Sequence, residues 1–132
     1  VIFMADLIRQ LKFNPAVDFV RMSRQGPRDK SPGTVTMTKD IGLDIRGKHV
    51  LIVEEIVDSG RCLKHLYDRI RSAQPASVAV VSLLDKQDRR IVDVPVKYIG
   101  RKVSSEFFVG YGLDLEEKSR NLPHIFFLKY PN

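Results

Sequence analysis

Residues 50–62, Val50-Leu51-Ile52-Val53-Glu54-Glu55-Ile56-Val57-Asp58-Ser59-Gly60-Arg61-Cys62, restrict the fold more than any other stretch of the chain. They begin as a β-branched apolar run of the kind that fills a buried strand. Two adjacent carboxylates interrupt that run before it finishes. An acid and a small-residue turn then lead into Leu63, Leu66, Tyr67 and Ile70, spaced as the apolar stripe of a helix. A strand passing so directly into a helix is the building unit of a parallel sheet.

The flanking segments repeat that alternation. Phe3, Leu7, Ile8 and Leu11 sit at helical spacing, and Asn14-Pro15 closes that helix. Residues 17–22 read as a strand, residues 34–38 as another, and Gly47-Lys48 turns the chain into the central stretch. After a helix ending near Pro75, residues 77–84 form a further buried strand, followed by a polar loop over 85–90. Residues 94–99 make one more, with Pro95 marking an edge or an irregular start. The expectation is an α/β domain spanning 1–132, with a mostly parallel central sheet flanked by helices on both faces. Ligands of such sheets gather at the carboxyl ends of the strands, where Glu54, Glu55, Asp58 and Lys86 fall.

Between the first two strands, residues 23–33 carry Gly26, Pro27, Pro32 and Gly33 with Arg24, Arg28 and Lys30. This predicts a flexible, positively charged loop: a solvated connection, or a lid over phosphates.

At 132 residues the chain is one domain by size and can bury roughly two thirds of its unfolded surface. A lone cysteine, no long apolar run and no signal-like start predict a cytoplasmic protein without a membrane span. The net charge of +6 suits a polyanionic partner. The basic residues are scattered outside 21–39 and 86–90, without the aromatic interleaving that stacks single strands, which argues against nucleic acid. Neither a Walker-type nor a Gly-x-Gly-x-x-Gly motif is present, which excludes the common nucleotide hydrolase and dinucleotide sites. His49, His65 and His124 lack metal-ligand spacing.

The turn itself can do chemistry. Its backbone N–H groups and the following helix N-terminus favour an anion. Glu54 and Glu55 can accept hydrogen bonds from sugar hydroxyls or hold a metal through its waters. Together these describe a seat for a phosphorylated sugar. The plainer alternative is a solvated sheet edge with an ordinary Asp-Ser-Gly turn.

Three motifs decide between them. Val53-Glu54-Glu55-Ile56-Val57-Asp58-Ser59-Gly60 resembles the phosphoribosyl pyrophosphate signature of the purine phosphoribosyltransferases, specifically the hypoxanthine-guanine branch. Leu83-Leu84-Asp85-Lys86 resembles the loop that meets the base. Glu106-Phe107-Phe108-Val109-Gly110-Tyr111-Gly112-Leu113-Asp114, followed by Arg120-Asn121-Leu122-Pro123, resembles the purine-binding hood.

The resemblance implies a type I phosphoribosyltransferase fold with a small C-terminal hood over about 100–132. It implies transfer of a ribosyl phosphate from phosphoribosyl pyrophosphate to a 6-oxopurine, with magnesium, in a homodimer or homotetramer. Asp58 would be the general acid/base at N7 of the purine. Glu54 and Glu55 would hold the ribose hydroxyls with magnesium nearby, and Ser59, Gly60, Arg61 and Cys62 would cradle the 5′-phosphate. Lys86 would donate to the six-position oxygen, Phe107 would stack on the base, and the Phe108 backbone would meet the base edge. Asp114 would bind magnesium or approach the base, and Arg120 would hold pyrophosphate. Taken alone, Lys86, Asp114 and Arg120 read as ordinary surface charges and the phenylalanines as core.

The pattern departs from the family at several places. Ser23-Arg24-Gln25 stands where a Ser-Tyr lid pair is usual, and Glu55 where an aspartate is. Cys62 replaces a threonine with a poorer hydrogen-bond donor, and Leu115 an aromatic. The resemblance begins after the family's first pyrophosphate loop and its strand, so an N-terminally incomplete chain is expected. Two rivals follow from these departures and from the charge: a non-catalytic relative that binds nucleotide or a partner, and an RNA-binding regulator on the same fold.

Overall fold

The computed structural model describes residues 1–25 and 34–129. The elements run α1 (Ile2–Gln10), β1 (Arg21–Gln25), β2 (Thr34–Lys39), β3 (His49–Val57), α2 (Arg61–Ser72), β4 (Ser77–Asp85), β5 (Tyr98–Lys102), β6 (Phe107–Val109) and β7 (Phe126–Leu128). Among the described residues, β3, β4 and β5 form a parallel sheet in the order β3-β4-β5. β1 pairs antiparallel with β2, and β6 with β7. The architecture is α/β with a parallel centre, as the strand–helix alternation requires.

One face of the sheet carries the core. Ile52 from β3 and Val80 from β4 pack against Leu63, Leu66 and Ile70 of α2, with Met22, Met37, Ile41 and Ile45 around them. Each fully buried aliphatic side chain contributes about 1.5–3 kcal/mol, so α2 is fastened by its apolar stripe. The opposite face is thinner than expected of a sheet covered on both sides. Leu51 on that face is 41% exposed, and α1 has no buried residue.

Two strands begin later than their sequence suggests. β1 covers Arg21–Gln25, not 17–22, because Asp18 diverts the preceding chain into a clip. Its carboxylate accepts the N–H groups of Gly42 at 2.6 Å, Phe19 at 2.7 Å and Leu43 at 3.2 Å, and it pairs with Lys39. Those backbone donors hold its carboxyl well below the usual carboxylate range. β5 covers Tyr98–Lys102, not 94–99. Val94 and Val96 fill the core instead, Pro95 has no N–H to offer a ladder, and Lys97 N–H donates to the Val80 carbonyl at 3.0 Å just before pairing starts. The expected loop at 23–33 is part of β1 up to Gln25, and its residues 26–33 lie outside the described ones.

Candidate active site

The parallel register of β3 and β4 brings Val57 opposite Asp85, so their carboxyl ends finish side by side. Lys86 N–H donates to the Val57 carbonyl at 2.9 Å, which sets the residue after β4 against the turn after β3. Asp58 stands at the head of that turn. Ser59 Oγ accepts from Arg61 N–H at 3.4 Å, and Gly60 caps α2 with φ +84°, a left-handed conformation suited to glycine. α2 has no acidic residue in its first turn, and with the Arg61 N–H given to Ser59 Oγ the amides of Cys62 and Leu63 remain available to an anion.

The two glutamates behave differently. Side chains alternate along a strand, so Glu54 continues the α2 side after Val50 and Ile52, and Glu55 faces the other way. The negative charge of Glu54 acts on Cys62 at the start of α2. Glu55 lies under the hood, where a Cβ on Gly112 would come within 2.8 Å of its Oε2. Burial raises both carboxyls to about 7, and Arg120 acts against the rise at Glu55. Glu55 Oε1 is buried and without a hydrogen-bond partner among the described residues. Burial, then the charge of Glu54, pushes the Cys62 thiol up, which disfavours the thiolate.

Lys86 is buried rather than solvated, at 8% exposure. Its ammonium lies 5.5 Å from the centre of the Phe108 ring. Alternation along β6 turns Phe107 to the other side, where it is half-buried. The hood is braced from within. Arg120 donates to the Gly112 carbonyl at 2.9 Å and to Glu117 at 3.0 Å, and approaches Asp114 to 3.6 Å. Asp114 also accepts the Glu117 N–H at 2.9 Å. Tyr111 O–H donates to Asp6, joining the hood to α1.

Asp58, Ser59, Gly60, Arg61, Cys62 and Lys86 therefore converge on one strand end, and Glu55, Asp114 and Arg120 converge beneath the hood. Three further residues share the strand end: Asp85, Arg89 and Arg90. Arg89 Nε donates to Asp58 Oδ1 at 2.8 Å, while Arg90 pairs with the buried Asp85 and reaches the Asp58 carbonyl at 3.3 Å. The basic run at 86–90 was the signal in the sequence for the two arginines. The amides at the head of α2, with Lys86, Arg89 and Arg90 beside them, are suited to an anion.

Comparison with known proteins agrees with that geometry. A phosphoribosyl transferase domain model matches residues 1–116. The hypoxanthine phosphoribosyltransferase of Haemophilus influenzae is 43% identical over 123 residues, covering 93% of this chain and 69% of that protein. The hypoxanthine-guanine phosphoribosyltransferase of Staphylococcus epidermidis is 43% identical over 129 residues, covering 98% and 72%. Among solved structures, a hypoxanthine phosphoribosyltransferase from Staphylococcus aureus superposes with a TM-score of 0.91 at 42% identity, covering 99% of this chain and 73% of that one.

Proposed function

The chain belongs to the phosphoribosyl transferase domain family, and from that premise we propose that it transfers the 5-phosphoribosyl group from phosphoribosyl pyrophosphate to hypoxanthine or guanine. The products are IMP or GMP and pyrophosphate, a purine salvage reaction. The observation that carries this reading is the 2.9 Å bond from Lys86 N–H to the Val57 carbonyl. It joins the base-reading residue to the phosphate turn, with Asp58 at the junction.

The amides of residues 59–62 hold the 5′-phosphate, with positive helix-terminus potential behind them. Glu54 and Glu55 approach a ribose seated across the strand end from its two sides. Lys86 donates to the six-position oxygen, Phe107 stacks on the ring, and the Phe108 backbone meets its edge. Purine nitrogen bonds to C1′ as the bond to pyrophosphate breaks, and Asp58 accepts the proton shed at N7. Arg120 faces the departing pyrophosphate.

The acidic residues fit magnesium. No cluster of three His, Cys, Asp or Glu ligands exists among the described residues, but magnesium commonly keeps waters and takes one or two carboxylates plus substrate oxygens. Glu55, with its orphaned buried oxygen, and Asp114 would hold it. When bound, the ion supplies positive charge to the pyrophosphate oxygens. The setting is a reducing cytoplasm, in keeping with the unpaired Cys62, and the chain works as a homodimer or homotetramer.

Spectrophotometric assay with each base, phosphoribosyl pyrophosphate and magnesium should show turnover. Asp58→Asn should lower kcat by about a hundredfold or more while leaving the affinity for phosphoribosyl pyrophosphate intact. Full activity in that variant would remove Asp58 from the chemistry.

A further inference from the structure

Asp58 does not stand free at its strand end. Arg89 Nε donates to its Oδ1 at 2.8 Å across 31 residues of chain. We propose that Arg89 is a positioning residue for the transfer: it holds Oδ1 so that Oδ2 meets the purine proton. This rests on Asp58 being the proton acceptor.

As a source of stability the pair would count for little. The two side chains are 55% and 47% exposed, and exposed ion pairs contribute about 0–1 kcal/mol. What distinguishes it is the framework beneath. Arg89 N–H donates to the Lys86 carbonyl at 3.1 Å, and Lys86 N–H to Val57 at 2.9 Å. On the following residues, Arg90 is anchored by the buried Asp85 and bonds to the Asp58 carbonyl at 3.3 Å. Ile91 and Val92 N–H both donate to the Ser59 carbonyl, at 3.0 and 3.1 Å. The backbone carrying the arginine and the backbone carrying the aspartate are thus hydrogen-bonded to one another. The backbone share of the pair's ordering cost is met by folding.

The geometry also divides the carboxylate. A guanidinium at Oδ1 leaves Oδ2 as the oxygen without a hydrogen bond among the described residues. Carboxylate rotation would otherwise present either oxygen, and misplacement by about 1 Å can cost about a hundredfold in rate. In the step itself the N7–H bond breaks, its proton goes to Oδ2, and the ring keeps the electron pair. Arg89 stays on Oδ1, which accepts in both protonation states.

The test is a double-mutant cycle in the full chain. Arg89→Gln should lower kcat about ten- to a hundredfold, with KM for both substrates within about twofold. Arg89→Lys should recover part of the loss. In the Asp58→Asn background, Arg89→Gln should change single-turnover rates no further. A raised KM for phosphoribosyl pyrophosphate with kcat kept would overturn the proposal in favour of direct phosphate binding, as would losses that add in the double variant. Full turnover in Asp58→Asn would instead defeat the reading of Asp58. Independently of turnover, the Arg89 Nε–H resonance of the unliganded chain should move on Asp58→Asn, and an unmoved signal would overturn the pairing.

Discussion

Gly60 carries two constraints at once. Its φ of +84° lies where L side chains rarely go, and a Cβ there would sit 2.6 Å from the Val92 carbonyl oxygen and 2.8 Å from Arg90 Cδ. The left-handed conformation alone costs a residue with a Cβ about 1–2 kcal/mol. Gly60→Ala should lower stability in urea by at least about that amount and weaken phosphate binding by displacing the turn; unchanged denaturation and affinity would show the turn to be adaptable. Asp-Ser-Gly was readable as a turn from its composition. That the glycine also admits residues 90–92 was not, because the obstacle comes from a segment 30 positions away in sequence and is met only once β3 and β4 are paired.

Among the elements, β3, α2 and β4 stand where their apolar periodicity placed them, since each buries a regular face. β1 and β5 were displaced by several residues. Asp18 governs the entry to β1, and Val94 and Val96 are apolar for the core rather than for a ladder. Periodicity reports burial, and burial outside a strand looks the same in one dimension. The segment after β4 is the element whose importance was least visible. Its Arg90 neutralises Asp85, which is 1% exposed. Removing one partner of such a pair typically costs about 3–5 kcal/mol, so Arg90→Ala should destabilise the chain by that order. Arg90→Ala combined with Asp85→Ala should recover much of it in the same melt; equal destabilisation by both would contradict a pairing role for Arg90.

For the molecule as a whole, the two glutamates set a dependence on pH. Each carboxyl is raised from 4.5 to about 7 in the folded chain. The folded state therefore binds more protons than the unfolded one between those values, and stability falls as pH rises from about 4.5 to about 7. Thermal melts of the unliganded chain should show that decline, and Glu54→Gln with Glu55→Gln should flatten it. A melting temperature independent of pH across this window would contradict the desolvation of the two carboxyls. Ligands that recruit the ionised carboxylates should release protons on binding near pH 6, measurable as a buffer-dependent heat.

The local order of residues determined a strand ending in acids, a glycine turn and an amphipathic helix, because periodicity and turn chemistry act over a few residues. Tertiary structure decided that the hood covers Glu55, that Lys86 is buried, and that Arg89 reaches Asp58. Those outcomes depend on the parallel register between β3 and β4 and on where the hood closes, and such long-range pairings leave no mark on neighbouring residues.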